Sequence, residues 1–255
     1  MSVRGGRGRA RGPGPRSMEA LRWLARVEVA GIEPLWCAIG VGWRTGYSHV
    51  ERLEKAGLVE RTFDPGGSVV SIIAAGRRAV AADHRTIRAR THGSGLRHAR
   101  AVSWVAALVT VRERIWVSDL EARSREAWLV PVVWADRRAR HRPGLGIELR
   151  GARIAVEVEL SAKAPRRLDA ILGGYEHALA SGALAGLIYV SDRPDVLEAV
   201  NRSAARVGLP RSKLRTRTLE SVKDDVRQRT GTRSVIPSSS IETAGQQRDR
   251  SQLQP

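Results

Sequence analysis

The chain has 255 residues, enough for one large domain or two small ones, and a mixed composition with 42% hydrophobic residues. No apolar run approaches the roughly 18 residues that cross a bilayer, and no apolar segment follows the basic start as a signal peptide requires. One cysteine, Cys37, excludes a disulfide framework and a thiolate metal cage, so the sequence suggests an intracellular, cytoplasmic protein. The net charge of +18 favours a polyanion as partner, with double-stranded DNA the leading candidate and no membrane association. Lys55, Lys163, Lys213 and Lys223 are the only lysines among 44 basic residues. That skew, with abundant Ala and Gly, suggests GC-rich, actinobacterial coding.

Residues 1–16 are almost wholly Gly, Pro, Arg, Ala and Ser, and predict a disordered basic arm. Met18 is an alternative initiator. Ala20, Leu21, Leu24 and Val27 recur at helical spacing and predict a first amphipathic helix, ended by Gly31. A short helix over 33–39 follows, with Pro34 at a tolerated early position. After the turn at Val41-Gly42-Trp43, a third helix over 44–56 is predicted to bury Val50 and Leu53, with Tyr47 on the same side. It would expose Arg44, Thr45, Ser48, His49 and Arg52. Gly57 caps it. Residues 58–63 and 68–73 then pair as a hairpin around Asp64-Pro65-Gly66-Gly67.

Residues 84–97 read as a polar linker. A helix over about 98–113 and an apolar strand over 128–134 come next. Leu145, Ile147 and Leu149 alternate, Arg150-Gly151 can turn, and Ile154, Val156, Val158 and Leu160 alternate again. This predicts a hairpin with one face buried and Ala155, Glu157, Glu159 and Ser161 on the other. Two glutamates at i and i+2 on a strand point the same way, and Lys163 follows just beyond. A helix over 165–181, a strand over 186–190, a helix over 194–207 and a strand near 214–219 complete the pattern, with a disordered tail from 229. His84, His92 and His98 form no recognised metal set and read as surface or cap residues. Trp23, Trp36, Trp104, Trp116, Trp128 and Trp134 sit in apolar patterns and read as core.

Helix, helix, helix, hairpin over 17–83 resembles the winged helix-turn-helix family. The resemblance implies that the third helix enters the major groove and the wing touches the backbone. Arg44, Thr45, Ser48, His49 and Arg52 would then contact DNA, with Arg61 on the wing. The order over 98–228 resembles the αβββαβ core of the restriction-endonuclease-like PD-(D/E)xK fold, so the fold class expected is α+β with two domains. A closer resemblance is to the replication-relaxation family of plasmid and mobile-element proteins. It is carried by His141-Arg142-Pro143-Gly144, Ile154 to Lys163, Arg167-Leu168, Ile171-Leu172 and Tyr175.

Membership would imply a role in replication or relaxation of plasmid DNA. By the nuclease resemblance, Glu157 would bind Mg²⁺, Glu159 occupies the usual lysine position, and Lys163 is a displaced lysine reaching back. Gly144, however, stands where the second acidic ligand should be. Asp136, His141 or Glu148 are the candidates to replace it. Arg166 and Arg167 beside the hairpin suit phosphate contact. These features favour a DNA-binding protein with a degenerate nuclease-like domain. The alternatives are a Mg²⁺-dependent endonuclease, a winged-helix transcriptional regulator, or an adaptor using the winged helix for protein contacts. Homodimerisation stays open.

Overall fold

A computed structural model describes residues 12–64, 67–81, 94–134 and 137–231. Asp136, His84, His92, the turn residues Pro65 and Gly66, and most of the arm, linker and tail lie outside the described residues. The molecule is a mixed α and β structure.

The first helix, α1 (Pro15–Val27), starts on a proline and buries Ala20, Leu21 and Leu24. It stops earlier than the glycine at 31 suggested. Glu28 adopts a positive φ of 65°, its carboxylate accepting from Arg77 at 2.6 Å, and the chain turns into a short strand, β1 (Val29–Gly31). Three residues are too few to show a period, so the sequence could not announce this strand. Helices α2 (Ile32–Ala38) and α3 (Trp43–Lys55) follow as expected. They approach closely at Gly46, where an added Cβ would lie 2.5 Å from the Cβ of Trp36. The hairpin of β2 (Val59–Asp64) and β3 (Gly67–Ile72) pairs Thr62 with Val69 and Phe63 with Ser68. Its outer partner is β1, giving a three-stranded antiparallel sheet in the order β1-β3-β2. A short helix, α4 (Ala74–Ala79), ends this part.

Helix α5 (Ser94–Val111) begins inside the segment expected to be a linker. It leads to β4 (Ile115–Ser118), α6 (Asp119–Ala122), and a hairpin of β5 (Val130–Trp134) and β6 (Arg137–His141). Then come β7 (Leu145–Leu149), β8 (Ala152–Val158), α7 (Pro165–Ala180), β9 (Gly186–Ser191), α8 (Pro194–Arg206), β10 (Leu214–Thr218) and α9 (Leu219–Thr230). Five strands make one sheet in the order β10-β9-β8-β7-β4, with β7 antiparallel to both neighbours and β8, β9 and β10 parallel.

The strand over 128–134 is shorter and lies outside the main sheet, paired among the described residues with the arginine-rich β6. The sheet's first strand is instead β4, four residues long and preceded by the charged Arg112-Glu113-Arg114. Residues to which the sequence assigned no element form α9, which runs to Thr230 and buries Leu219, Val222 and Val226, while the tail expected from 229 lies almost wholly outside the described residues. Those three are spaced helically but are swamped by charged neighbours.

The sheet is covered on both faces. Trp116, Ile147, Val156, Val158 and Val190 pack with α5 and α9, whereas Val117, Ala155, Leu187 and Tyr189 pack with α7 and α8. Strand β8 is therefore buried on both sides, not on one. The α5 face is also where the two parts of the chain meet, since one continuous core contains Leu21, Leu24 and Leu53 with Trp104, Leu108 and Val226. Polar ties cross the same junction. Trp23 Nε1 donates to Thr110 Oγ1 at 3.0 Å, Arg26 holds Glu121 at 3.0 Å, and Arg227 holds Glu33 at 3.0 Å.

Candidate functional site

The strands β4, β8, β9 and β10 run the same way, so their carboxyl ends share one edge of the sheet. A cavity of about 460 Å³ opens at this edge. Asp119, Gly144, Glu157, Glu159 and Lys163 line it, with His98 of α5 and Arg26 of α1 on the opposite wall. The wall from α1 makes the cavity a joint product of both parts of the chain.

Glu157 is 8% exposed, and its side chain points to the α7 face. Its Oε1 accepts from the Tyr175 hydroxyl and lies 2.6 Å from His141 Nε2. The rings of His141 and Tyr175 meet edge to face, with centroids 5.7 Å apart. Burial and the neighbouring Glu157 push the Tyr175 hydroxyl well above its usual range, and Tyr189 is shifted the same way for the same reasons. The Glu157 carboxyl thus meets two polar partners where it is buried, as a buried polar group requires. Lys163 is ion-paired to Glu159. Burial, with Arg167 adding, lowers the Lys163 ammonium below its ordinary value, while Glu157 opposes that shift.

The structure thus gathers Glu157, Glu159 and Lys163 at one edge, and adds His141, Tyr175, His98 and Asp119. Glu148 goes elsewhere, to a 3.4 Å ion pair with Arg125, and does not line the cavity. Asp119 is hard to single out in the sequence because α6 is only four residues long and its one local signal, the Ser118–Glu121 capping box, marks a helix start and not a ligand. Tyr175 was part of the family pattern, but its contact with Glu157 spans 18 positions and only the fold reveals it.

Magnesium demands an octahedral set of oxygen ligands. The described residues contain no group of three His, Cys, Asp or Glu side chains arranged to hold a metal. Gly144 lines the cavity without a carboxylate, and Glu157 has one oxygen already taken. The arrangement present does not fit Mg²⁺.

The second candidate region is α3. Arg44, Thr45 and Arg52 are exposed along it, and Ser48 is half-buried. His49 is not exposed. It is 8% accessible, with Nδ1 2.9 Å from Ser17 Oγ, because it faces α1 and not solvent. Arg61 is also less free than expected, lying 3.1 Å from Glu54 and over the ring of Phe63. Trp43 and Phe63, 43% and 74% exposed, are surface aromatics here that the sequence reading did not single out. Arg166 and Arg167 are exposed in the first turn of α7, and Arg167 lies over the ring of Trp134. Trp134 is half-exposed, not core; Trp23, Trp104, Trp116 and Trp128 are buried as expected.

No known family matches the chain, and no curated protein matches it in sequence. Among solved structures it is similar to protein VC1899 from Vibrio cholerae, at 15% identity and a TM-score of 0.37, covering 87% of this chain. The chain spans 57% of the length of that structure. No described helix is long and apolar enough to cross a membrane.

Proposed function

We propose that this protein binds double-stranded DNA, with residues 17–83 acting as a winged helix and residues 98–228 as a degenerate nuclease-like domain. The observation that carries the reading is the exposed stripe of Arg44, Thr45 and Arg52 on α3, a helix seated on α1 and α2 and followed directly by a hairpin. A net charge of +18 supports the same partner. The sequence resemblance extends the proposal to a protein of the replication-relaxation type, acting on plasmid or mobile-element DNA.

The order α5, β4, β7, β8, α7, β9 supports an αβββαβ core, interrupted by the β5–β6 hairpin. The Glu157 edge then reads as a nuclease site that has lost its second ligand and kept its shape. Asp119 in the same cavity is the one feature favouring an active Mg²⁺-dependent endonuclease instead.

Duplex binding followed by fluorescence anisotropy tests the proposal. Affinity should fall steeply with salt, and Arg44→Ala with Arg52→Ala should lower both affinity and the salt slope by about one per lost phosphate contact. Absence of duplex binding at low salt would overturn it. Supercoiled plasmid with Mg²⁺ or Mn²⁺ should remain intact. Nicking that disappears in Glu157→Ala would establish the endonuclease reading.

A further inference from the structure

The β5–β6 hairpin stands apart from both sheets and is held by its inner face on α7. Val130 and Val132 are buried there, and Gly174 of α7 lets the β5 backbone come close: a Cβ at that glycine would lie 2.4 Å from the Pro131 carbonyl oxygen. Residues directly opposite in an antiparallel pair share a face. The register pairs Trp134 with Arg137 and Val133 with Arg138, so each exposed apolar side chain has an arginine beside it. Val133 is 64% exposed and Trp134 50%. Arg167 reaches from α7 to lie over the Trp134 ring, its guanidinium carbon 5.9 Å from the ring centroid.

The charge at this surface is one-sided. Arg137, Arg138, Arg166 and Arg167 are exposed and form no ion pair among the described residues; only Arg140 is engaged, by Glu126 at 3.1 Å. On the face toward α7, Arg137 and Trp134 lead along the hairpin to His141, which holds Glu157. From Trp134 to Val130, the residue opposite His141, is four strand residues, about 13 Å.

We propose that the β5–β6 hairpin and the first turn of α7 bind single-stranded DNA, with Trp134 stacking on an unpaired base and Arg137, Arg166 and Arg167 holding phosphates. A guanidinium-flanked tryptophan needs a π face, and bases inside a duplex offer only their edges in the grooves. An isolated arginine ribbon would serve a duplex equally well; the exposed ring beside it is what selects an unpaired strand. Together with α3, the surface would suit DNA in which a duplex adjoins an open strand. This inference rests on the DNA-binding reading above.

The test uses the full chain with a fluorescein-labelled oligothymidine of about 15 nucleotides and, separately, a blunt duplex. Trp134→Ala should weaken oligothymidine binding roughly 5- to 160-fold, the range for one base–aromatic stack, and change duplex binding less than about twofold. Arg137→Ala with Arg166→Ala should weaken it too, and flatten its salt dependence by about 0.7 per contact. All three positions are exposed, so melting temperatures should match the parent. If Trp134→Ala destabilises the chain, the arginine pair decides alone. Unchanged oligothymidine affinity in the folded variants overturns the inference while leaving duplex binding through α3 standing. Equal losses on both DNAs overturn it in favour of a duplex contact. Failure of the parent to bind either DNA removes both readings.

Discussion

Glu157 shows how far the fold determines the surroundings of a residue picked out from a strand pattern. Its carboxylate is buried, and the Tyr175 hydroxyl and His141 converge on one oxygen. Tyr175→Phe removes one of two donors to a buried anion and should cost about 1.5–3 kcal/mol, read from urea unfolding. Gly144 offers the converse experiment. A Cβ there would meet Val156 O at 3.7 Å and Val158 N at 3.8 Å, which is ordinary contact. Gly144→Asp should therefore fold with stability close to the parent and place a second carboxylate in the cavity. Calorimetric titration should show Mn²⁺ binding stronger than in the parent.

His49 supplies a pH signature. Burial first, then Arg52 and Arg16, hold it below its ordinary value of 6.5. The unfolded chain therefore takes up a proton near pH 6.5 that the folded chain resists. The stability contributed by neutral His49 is complete above that pH and is lost as the pH falls toward the depressed folded value. His49→Gln should flatten the loss of stability between about pH 7 and 5 in denaturant titrations.

Among elements, the β7–β8 hairpin was the most legible in the sequence, because its alternation and Arg150-Gly151 turn are local signals. Helices α2, α3, α7 and α8 were legible for the same reason, each within a residue or so of its bounds. The β5–β6 hairpin was not. Arg137 to His141 has no apolar alternation, since β6 is exposed along nearly its whole length and is tied down by its pairing with β5 and, at its end, by His141 against Glu157. Gly174 is the position that seats it. Gly174→Ala forces a methyl against the Pro131 carbonyl and against Val130 and Val132, 3.1 Å away. The expected cost is about 1–3 kcal/mol, with faster amide exchange across β5 and β6 than elsewhere in the molecule.

At the scale of the whole molecule, the two parts that the sequence separates by a linker are joined through α5. Trp104 in that helix is buried in the shared core, with Arg227 of α9 over its ring and the same arginine paired to Glu33 of α2. Trp104→Ala should cost about 3–5 kcal/mol, and calorimetry should show a single unfolding transition shifted as one. Two separated transitions would show that the parts fold independently.

The sequence by itself determined the basic character, the order of most helices and strands, and the presence of Glu157, Glu159 and Lys163 on one short stretch. Those features are carried by composition, by periods of two and 3.6, and by turn residues, all of which act locally. Only the tertiary structure decided what the residues do to one another. It buried His49 against Ser17, tied Lys163 to Glu159, brought Tyr175 and His141 onto Glu157, and left Trp134 half-exposed beneath Arg167. Each of these depends on which face of an element another element covers. That is a property of packing over long sequence separations, and no local pattern encodes it.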